Sequence, residues 1–486
     1  MNPLKKLFKQ TFVYGLATVL PRMLSFILVP IYTAVMDTSL YGEVSVIFAW
    51  FAIFNVLLAY GMETAFFRFY HNTDHKEKVV STSLITILAS TLLFFVIALV
   101  LQNQLADFTE IDPKYISYAI YILALDALVI IPFSWLRANE KPMRYAIIKI
   151  TNVALYLGLN VFFLIYLPKI VGGNSESIFG WLYKPDFQIS YIFISNLIAS
   201  AITLLLMLQL YIKSSYVFDV ILWRKMMKYA MPVLIAGVAF TINEVFDKIL
   251  LERLLPADIA ESEVGKYAAC YKLALFMTLF ATAFRMGIEP FFFSHSKSEN
   301  PQKTYAQITN YFVILGSVIL LAVIVFADIL KVLFIQDSSY WEAMQVVPLI
   351  ILANFFLGIY HNLSVWYKVT DKTRYGALIS VIGAVITILV NLIFIQYISY
   401  MASAIATLLA YGTMMILSFV IGKKKYPIPY NLRKIGFYLS TSIVFSIVSF
   451  YLFDRNLIIG VILLLLYLAL VFKLENEKLR QLISKK

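Results

Sequence analysis

The chain has 486 residues, of which 61% are hydrophobic, 16% aromatic and only 14% charged, against roughly 45–50% apolar and about 25% charged in soluble domains. So little polar surface excludes a water-soluble globule, and the same balance excludes disorder. What remains is an all-α polytopic membrane protein, whose 40 Lys and Arg against 28 Asp and Glu leave a net charge of +12.

A span needs about 20 mostly apolar residues. Runs of that kind predict fourteen transmembrane helices, at 10–34, 41–67, 79–101, 115–136, 145–167, 187–212, 229–254, 265–293, 305–330, 340–367, 375–397, 399–421, 434–453 and 456–472. The first begins like a signal peptide, with Lys5, Lys6 and Lys9 ahead of an apolar run, but no small-residue cleavage site follows; it is expected to be a retained helix. The tightest turn falls at 397–400 and the weakest break at Asp454-Arg455-Asn456. With the N-terminus inside, 28 cations fall on the inner segments and 7 on the outer ones, leaving five (Arg22, Lys149, Lys248, Lys272 and Arg285) within helices. That alternation predicts both termini in the cytoplasm. No loop exceeds about 20 residues, a length too short to hold a soluble domain. The basic stretch Lys473–Lys486 is expected to lie on anionic inner-leaflet lipid.

The second span ends Gly61-Met62-Glu63-Thr64-Ala65-Phe66-Phe67 and the eighth Gly287-Ile288-Glu289-Pro290-Phe291-Phe292-Phe293, both G-x-E-x-x-F-F. Each span is also expected to begin just after a glycine, Gly42 and Gly265. A motif recurring six helices later in the same orientation predicts two six-helix lobes, residues 1–213 and 214–422, with helices 13 and 14 and the tail in 423–486. Internal repeats of this kind mark transporters that bind substrate between lobes.

Ionisable residues inside a bilayer cost about 2.5–3.5 kcal/mol each on insertion scales and need a partner or a wet cavity. In chain order they are Arg22; Glu63 with Arg68 near the inner end; Asp126; Asn243, Glu244, Asp247, Lys248 and Glu252; then Lys272, Arg285 and Glu289. Glu244, Lys248 and Glu252 share one helical face and can pair internally, as can Arg285 with Glu289. Lys272 and Arg285, about 220° apart, do not share a face. Structural ion pairing explains the paired residues, while Arg22 and Asp126 lack an i±4 partner and suit a cavity. Cations there favour an anion such as a diphosphate. Prolines 21, 30, 132, 232, 290 and 348 favour kinks, and Ala402, Ala406 and Ala410 form a close-packing stripe. The lone Cys270 excludes a disulfide framework or cysteine-built metal site. Among four histidines only His71 and His75 have a metal-compatible helical spacing, and an interfacial helix end is the plainer reading. There is no phosphate-cradling GxxxxGK[ST] motif.

Val264-Gly265-Lys266-Tyr267-Ala268-Ala269-Cys270-Tyr271-Lys272-Leu273-Ala274, following Asp247-Lys248-Ile249-Leu250-Leu251, resembles the polysaccharide-biosynthesis flippase branch (Wzx-like) of the MOP exporter superfamily. So do Gly61-Met62-Glu63 leading into Phe67-Arg68-Phe69-Tyr70, and Gly358 to Lys368 followed by Asp371-Lys372-Thr373. The resemblance implies a non-enzymatic, alternating-access flippase of the bacterial cytoplasmic membrane. It would move an undecaprenyl-diphosphate-linked oligosaccharide to the outer leaflet for O-antigen or capsule assembly, alongside polymerase or glycosyltransferase machinery. Arg22 and then Arg285 would hold the diphosphate, with Glu63, Arg68, Lys272 and Glu289 as further substrate-binding candidates. Asp126, Asn243, Glu244, Asp247 and Lys248 are candidates for coupling to H⁺ or Na⁺; no other cofactor, metal or nucleic acid is implied. A cation-coupled drug exporter and a lipid II flippase are the rivals within the superfamily. A glycan polymerase or ligase, which would carry a large catalytic outer loop, fits least.

Overall fold

In hydrocarbon no water satisfies a free amide, so apolar runs of this length fold as helices that close every backbone bond internally. The computed structural model describes residues 26–172, 178–295 and 299–483, and among them there is no strand. The long helices are α1 (Phe26–Val35), α2 (Thr38–His71), α3 (Lys76–Val100), α4 (Pro113–Ala138), α5 (Pro142–Gly172), α6 (Gln188–Lys213), α7 (Val220–Leu254), α8 (Ala257–Leu273 and Leu275–His295), α9 (Pro301–Val325), α10 (Ser338–Val369), α11 (Arg374–Ile398), α12 (Tyr400–Lys425), α13 (Leu432–Leu452) and α14 (Leu457–Ile483). Eleven are long and apolar enough to cross a bilayer, and the two halves of α8, bent by 48°, make a twelfth if they act as one span. The fourteen-span expectation also counts α1, whose preceding residues lie outside the described ones, and α7. The 35 residues of α7 reach ~52 Å at ~1.5 Å per residue.

The chain divides into two compact units, Met1–Gly265 and Lys266–Lys486. In the first, α7 runs antiparallel along α2. Gly61 lies against Ala230, and a Cβ on Gly237 would stand 3.1 Å from Val56. The break in α2 falls at Tyr60 and Gly61, both left-handed at φ 31° and 73°. A Cβ at Gly61 would come within 2.5 Å of the Ala230 carbonyl, so glycine is required there twice over, by conformation and by space. In the second unit Ala402, Ala406 and Ala410 are fully buried, as a small-residue packing stripe requires. The expected tight turn is a single residue, Ser399 at φ 45°, and the weak break at 454–456 turns through left-handed Asp454 and Arg455. The start of the expected tail continues α14, and Glu475 is buried against α13 by Lys434 and the Tyr438 hydroxyl, 2.8 Å away.

Two expectations need correction. Gly42 and Gly265 do not start helices. α2 starts at Thr38, where Asp37 accepts the Leu40 amide at 2.9 Å, and α8 starts at Ala257. The two glycines instead meet each other: a Cβ on Gly42 would run into the Glu261 carbonyl, and one on Gly265 into the Thr38 carbonyl, with the Gly42 nitrogen 3.0 Å away. Hydroxyls of Thr38 and Ser262, 2.7 Å apart, and a bond from Ser39 to Glu261 flank the crossing. Nor does the repeated motif repeat in conformation: Gly61 breaks its helix, whereas Gly287 continues one, with open space where its Cβ would be.

The crossing can be tested against a control. Gly42→Leu and Gly265→Leu are each expected to destabilise the protein by at least about 1–3 kcal/mol, because overpacking here meets backbone and not a flexible side chain. Gly287→Ala should be neutral or stabilising by up to about 1 kcal/mol. Thermal unfolding of the three variants in one detergent would distinguish the sites.

Candidate functional site

In the first unit the break at Gly61 sets Glu63 in the first turn of the second half of α2. Its carboxylate pairs with Arg137 of α4 at 2.5 Å, both side chains being nearly half exposed, and the Arg137 guanidinium lies 4.8 Å over the Phe67 ring. Arg68 stacks 4.4 Å over Tyr229 of α7. Nearer the start of α4, Asp126 accepts a hydrogen bond from the Ser200 hydroxyl of α6 at 2.7 Å. Lys149 of α5 feels the charges of both Asp126 and Glu63 and holds its ammonium 4.2 Å over Phe133. Charges thus alternate in sign from Asp126 through Lys149 and Glu63 to Arg137. In such an alternating set each charge is offset by its neighbour.

On α7, Asn243 and Asp247 are buried. The Asn243 amide donates to the Ala239 carbonyl at 3.0 Å, and Lys248 pairs with the adjacent Asp247 at 3.1 Å. Glu244 is half-buried. Lys248 thus contacts its neighbour in sequence, Asp247, in addition to sharing a helical face with Glu244 and Glu252.

In the second unit the α8 bend at Ala274 falls between Lys272 and Arg285. Lys272 is half-buried in the turn before it. Arg285 sits 3.3 Å from the His361 ring of α10, and the two line a small cleft with Asn362, Ser364 and Lys368. Arginine offers a planar, always charged fork to phosphate oxygens, and the charge of histidine is set by its surroundings near neutral pH. The cleft itself, about 10 Å³, has room for no more than about one water, so it gathers these side chains without enclosing a ligand. Arg22 and the Glu289 side chain lie outside the described residues.

Four participants were not foreseen as site residues. Lys149 was visible as a cation within a span, which is a usable signal. Arg137 and Lys368 are among the 28 inner-segment cations and His361 is one of the four histidines; only packing shows that Arg137 faces Glu63 and that His361 and Lys368 share a cleft with Arg285. The His71–His75 spacing does not lie on one helix, because α2 ends at His71, where the ring stacks on Phe67 at 6.3 Å. Among the described residues no three His, Cys, Asp or Glu side chains gather as metal ligands.

A family model described as polysaccharide biosynthesis protein matches residues 7–293, and a second, MatE, matches 232–393. No curated protein matches the chain in sequence. Solved structures with this fold include the lipid II flippase MurJ in an inward closed conformation (14% identity, TM-score 0.75, 95% of this chain and 99% of that one). An inward-facing multidrug resistance MATE family transporter of the MOP superfamily aligns at 13% identity and TM-score 0.64, over 89% of this chain and 96% of its own. A MOP superfamily transporter from Pyrococcus furiosus, described by a binding pocket of reverse polarity, aligns at 13% identity and TM-score 0.59, over 86% and 95%. At these identities the likeness is one of fold.

The two ion pairs differ in burial and so in their expected cost. Lys248→Met removes the cation from a buried carboxylate and is expected to destabilise by about 3 kcal/mol. Glu63→Gln breaks a half-exposed pair and should cost below about 1 kcal/mol. Thermal denaturation under matched conditions, with a double-mutant cycle on Glu63 and Arg137, checks both.

Proposed function

This chain belongs to the polysaccharide biosynthesis protein family of the MOP exporter superfamily, and on that premise we propose that it is a flippase for a polyprenyl-diphosphate-linked oligosaccharide. It is a multi-pass membrane transporter; the proposal adds the cargo, the direction from inner to outer leaflet, and alternating access between lobes 1–213 and 214–422. The observation that carries it is the family match over residues 7–293. The excess of inner cations supports an orientation with both termini in the cytoplasm of a bacterial cell.

A diphosphate brings two or more negative charges into a medium that penalises each, so the chain must meet it with cations. Arg285 and Lys368, with His361 beside Arg285, are the candidates in the second unit, and Arg22 is the candidate in the first. The polyprenyl tail would remain in lipid while the glycan crosses in water. Asp126, held by Ser200 and opposed by Lys149, is the first candidate for coupling to H⁺ or Na⁺, because its neighbours hydrogen-bond and counterbalance it without a fixed ion pair. Asn243, Glu244, Asp247 and Lys248 form the second candidate group.

Two observations favour related readings. The MatE match over 232–393 supports a cation-coupled drug exporter, and the likeness to a lipid II flippase supports a peptidoglycan precursor as cargo. Each predicts a different phenotype: antibiotic efflux in the first case, essentiality in the second.

In a strain lacking the chain, surface glycan should be lost and be restored by the wild-type protein. Arg285→Ala, His361→Ala and Arg22→Ala should each cut restored glycan by about tenfold or more, the equivalent of one charge-assisted hydrogen bond. Full restoration by all three together, at wild-type protein levels, would refute a cationic diphosphate site.

A further inference from the structure

The first unit contains a second cationic cavity, separate from the charged residues described above. It has a volume of about 490 Å³ and lies where α3 and α5 begin and α2, α4 and α6 end. Four cations border it, Lys76, Lys141, Arg144 and Lys213, with Glu77 as the one anion. None of the four forms a salt bridge among the described residues. Lys141 lies 4.2 Å over Trp135, Lys76 lies 5.3 Å over Tyr70, and Arg144 donates to the Gln209 side-chain oxygen at 3.1 Å. By contrast, Arg137 and Lys248 of the same unit each have a carboxylate partner.

Buried Pro132, Leu136 and Met207 form an apolar part of the wall, and Gln209, Ser214 and Ser215 add neutral polar groups. A cavity with a net cationic rim and an apolar floor matches an amphiphilic anion, and its volume falls within the roughly 300–1,000 Å³ of small-molecule sites. All five helix ends are on the side assigned to the cytoplasm, where the leaflet is rich in anionic lipid.

We propose that this cavity binds the phosphate headgroup of an anionic phospholipid, with Arg144, Lys141 and Lys213 on the phosphate and the start of the acyl chains against Pro132 and Leu136. The occupant is a resident lipid and not the transported cargo, so the site stands whatever that cargo proves to be.

The test is native mass spectrometry of the purified full-length protein in neutral detergent, titrated with phosphatidylglycerol, with phosphatidylcholine of the same chains, and with inorganic diphosphate. Phosphatidylglycerol should be retained at least about tenfold more tightly than phosphatidylcholine. Arg144→Gln alone should weaken its retention, and Lys141→Gln/Arg144→Gln/Lys213→Gln should abolish the preference. All three side chains are exposed, so thermal unfolding should be unchanged. Glu77→Gln should tighten binding. Equal retention of the two lipids, or a preference that survives in the triple variant, overturns the site. Diphosphate that binds as tightly as the lipid and displaces it overturns the lipid assignment in favour of a free phosphate.

Discussion

The absence of water in the bilayer core is the constraint from which the other features follow. Each amide must be bonded within the chain, so the described residues fold as helices, and any break must be covered by protein. The α2 break is covered in this way: Gly61 is pressed against the Ala230 carbonyl of α7. The same medium makes unpaired charge expensive, and the interior charges accordingly occur in company. Asp247 has Lys248, Glu63 has Arg137, and Asp126 has Ser200 with Lys149 nearby.

Much of this was legible because the bilayer acts on segments twenty residues long, and hydropathy averages over the same length. The spans after the first fall close to the helices found, and the difficult turn at Ser399 was visible as a pair of polar residues between apolar runs. The locations of charged interior residues were equally readable, since a lone Asp126 amid leucines and isoleucines needs no structure to be noticed. The choice of partners was not readable. Glu63 and Arg137 are 74 positions apart and meet only when α2 packs on α4, and Arg285 finds His361 across 76 positions. Side-chain pairing across helices is set by tertiary packing, which periodicity does not encode.

The glycines show the same division. Their recurrence was evident in the sequence, and it did signal something physical, but not a helix start. Gly42 and Gly265 mark a point where two backbones touch, a role set by the absence of a Cβ and not by turn geometry. Likewise, the G-x-E-x-x-F-F pattern shared by the stretches from Gly61 and Gly287 accompanies a break in one helix and continuity in the other. At Gly61 the neighbouring helix leaves no room for a side chain; at Gly287 nothing approaches.

The α2 break also divides one long helix into two electrical units. A continuous helix would put its positive pole at Thr38 and its negative pole at His71, leaving the middle nearly neutral. With the chain left-handed at Tyr60 and Gly61, a second macrodipole begins at Met62, and its free amides form a positive pole of about half an elementary charge. Glu63 is the acidic residue in that first turn. A carboxylate in this position is stabilised by about 0.3–1 kcal/mol from the backbone alone, before Arg137 contributes. The glycine that permits this break therefore also sets a helix N-terminus beside Glu63, with the opposite pole of the Thr38–Ala59 segment adjoining it.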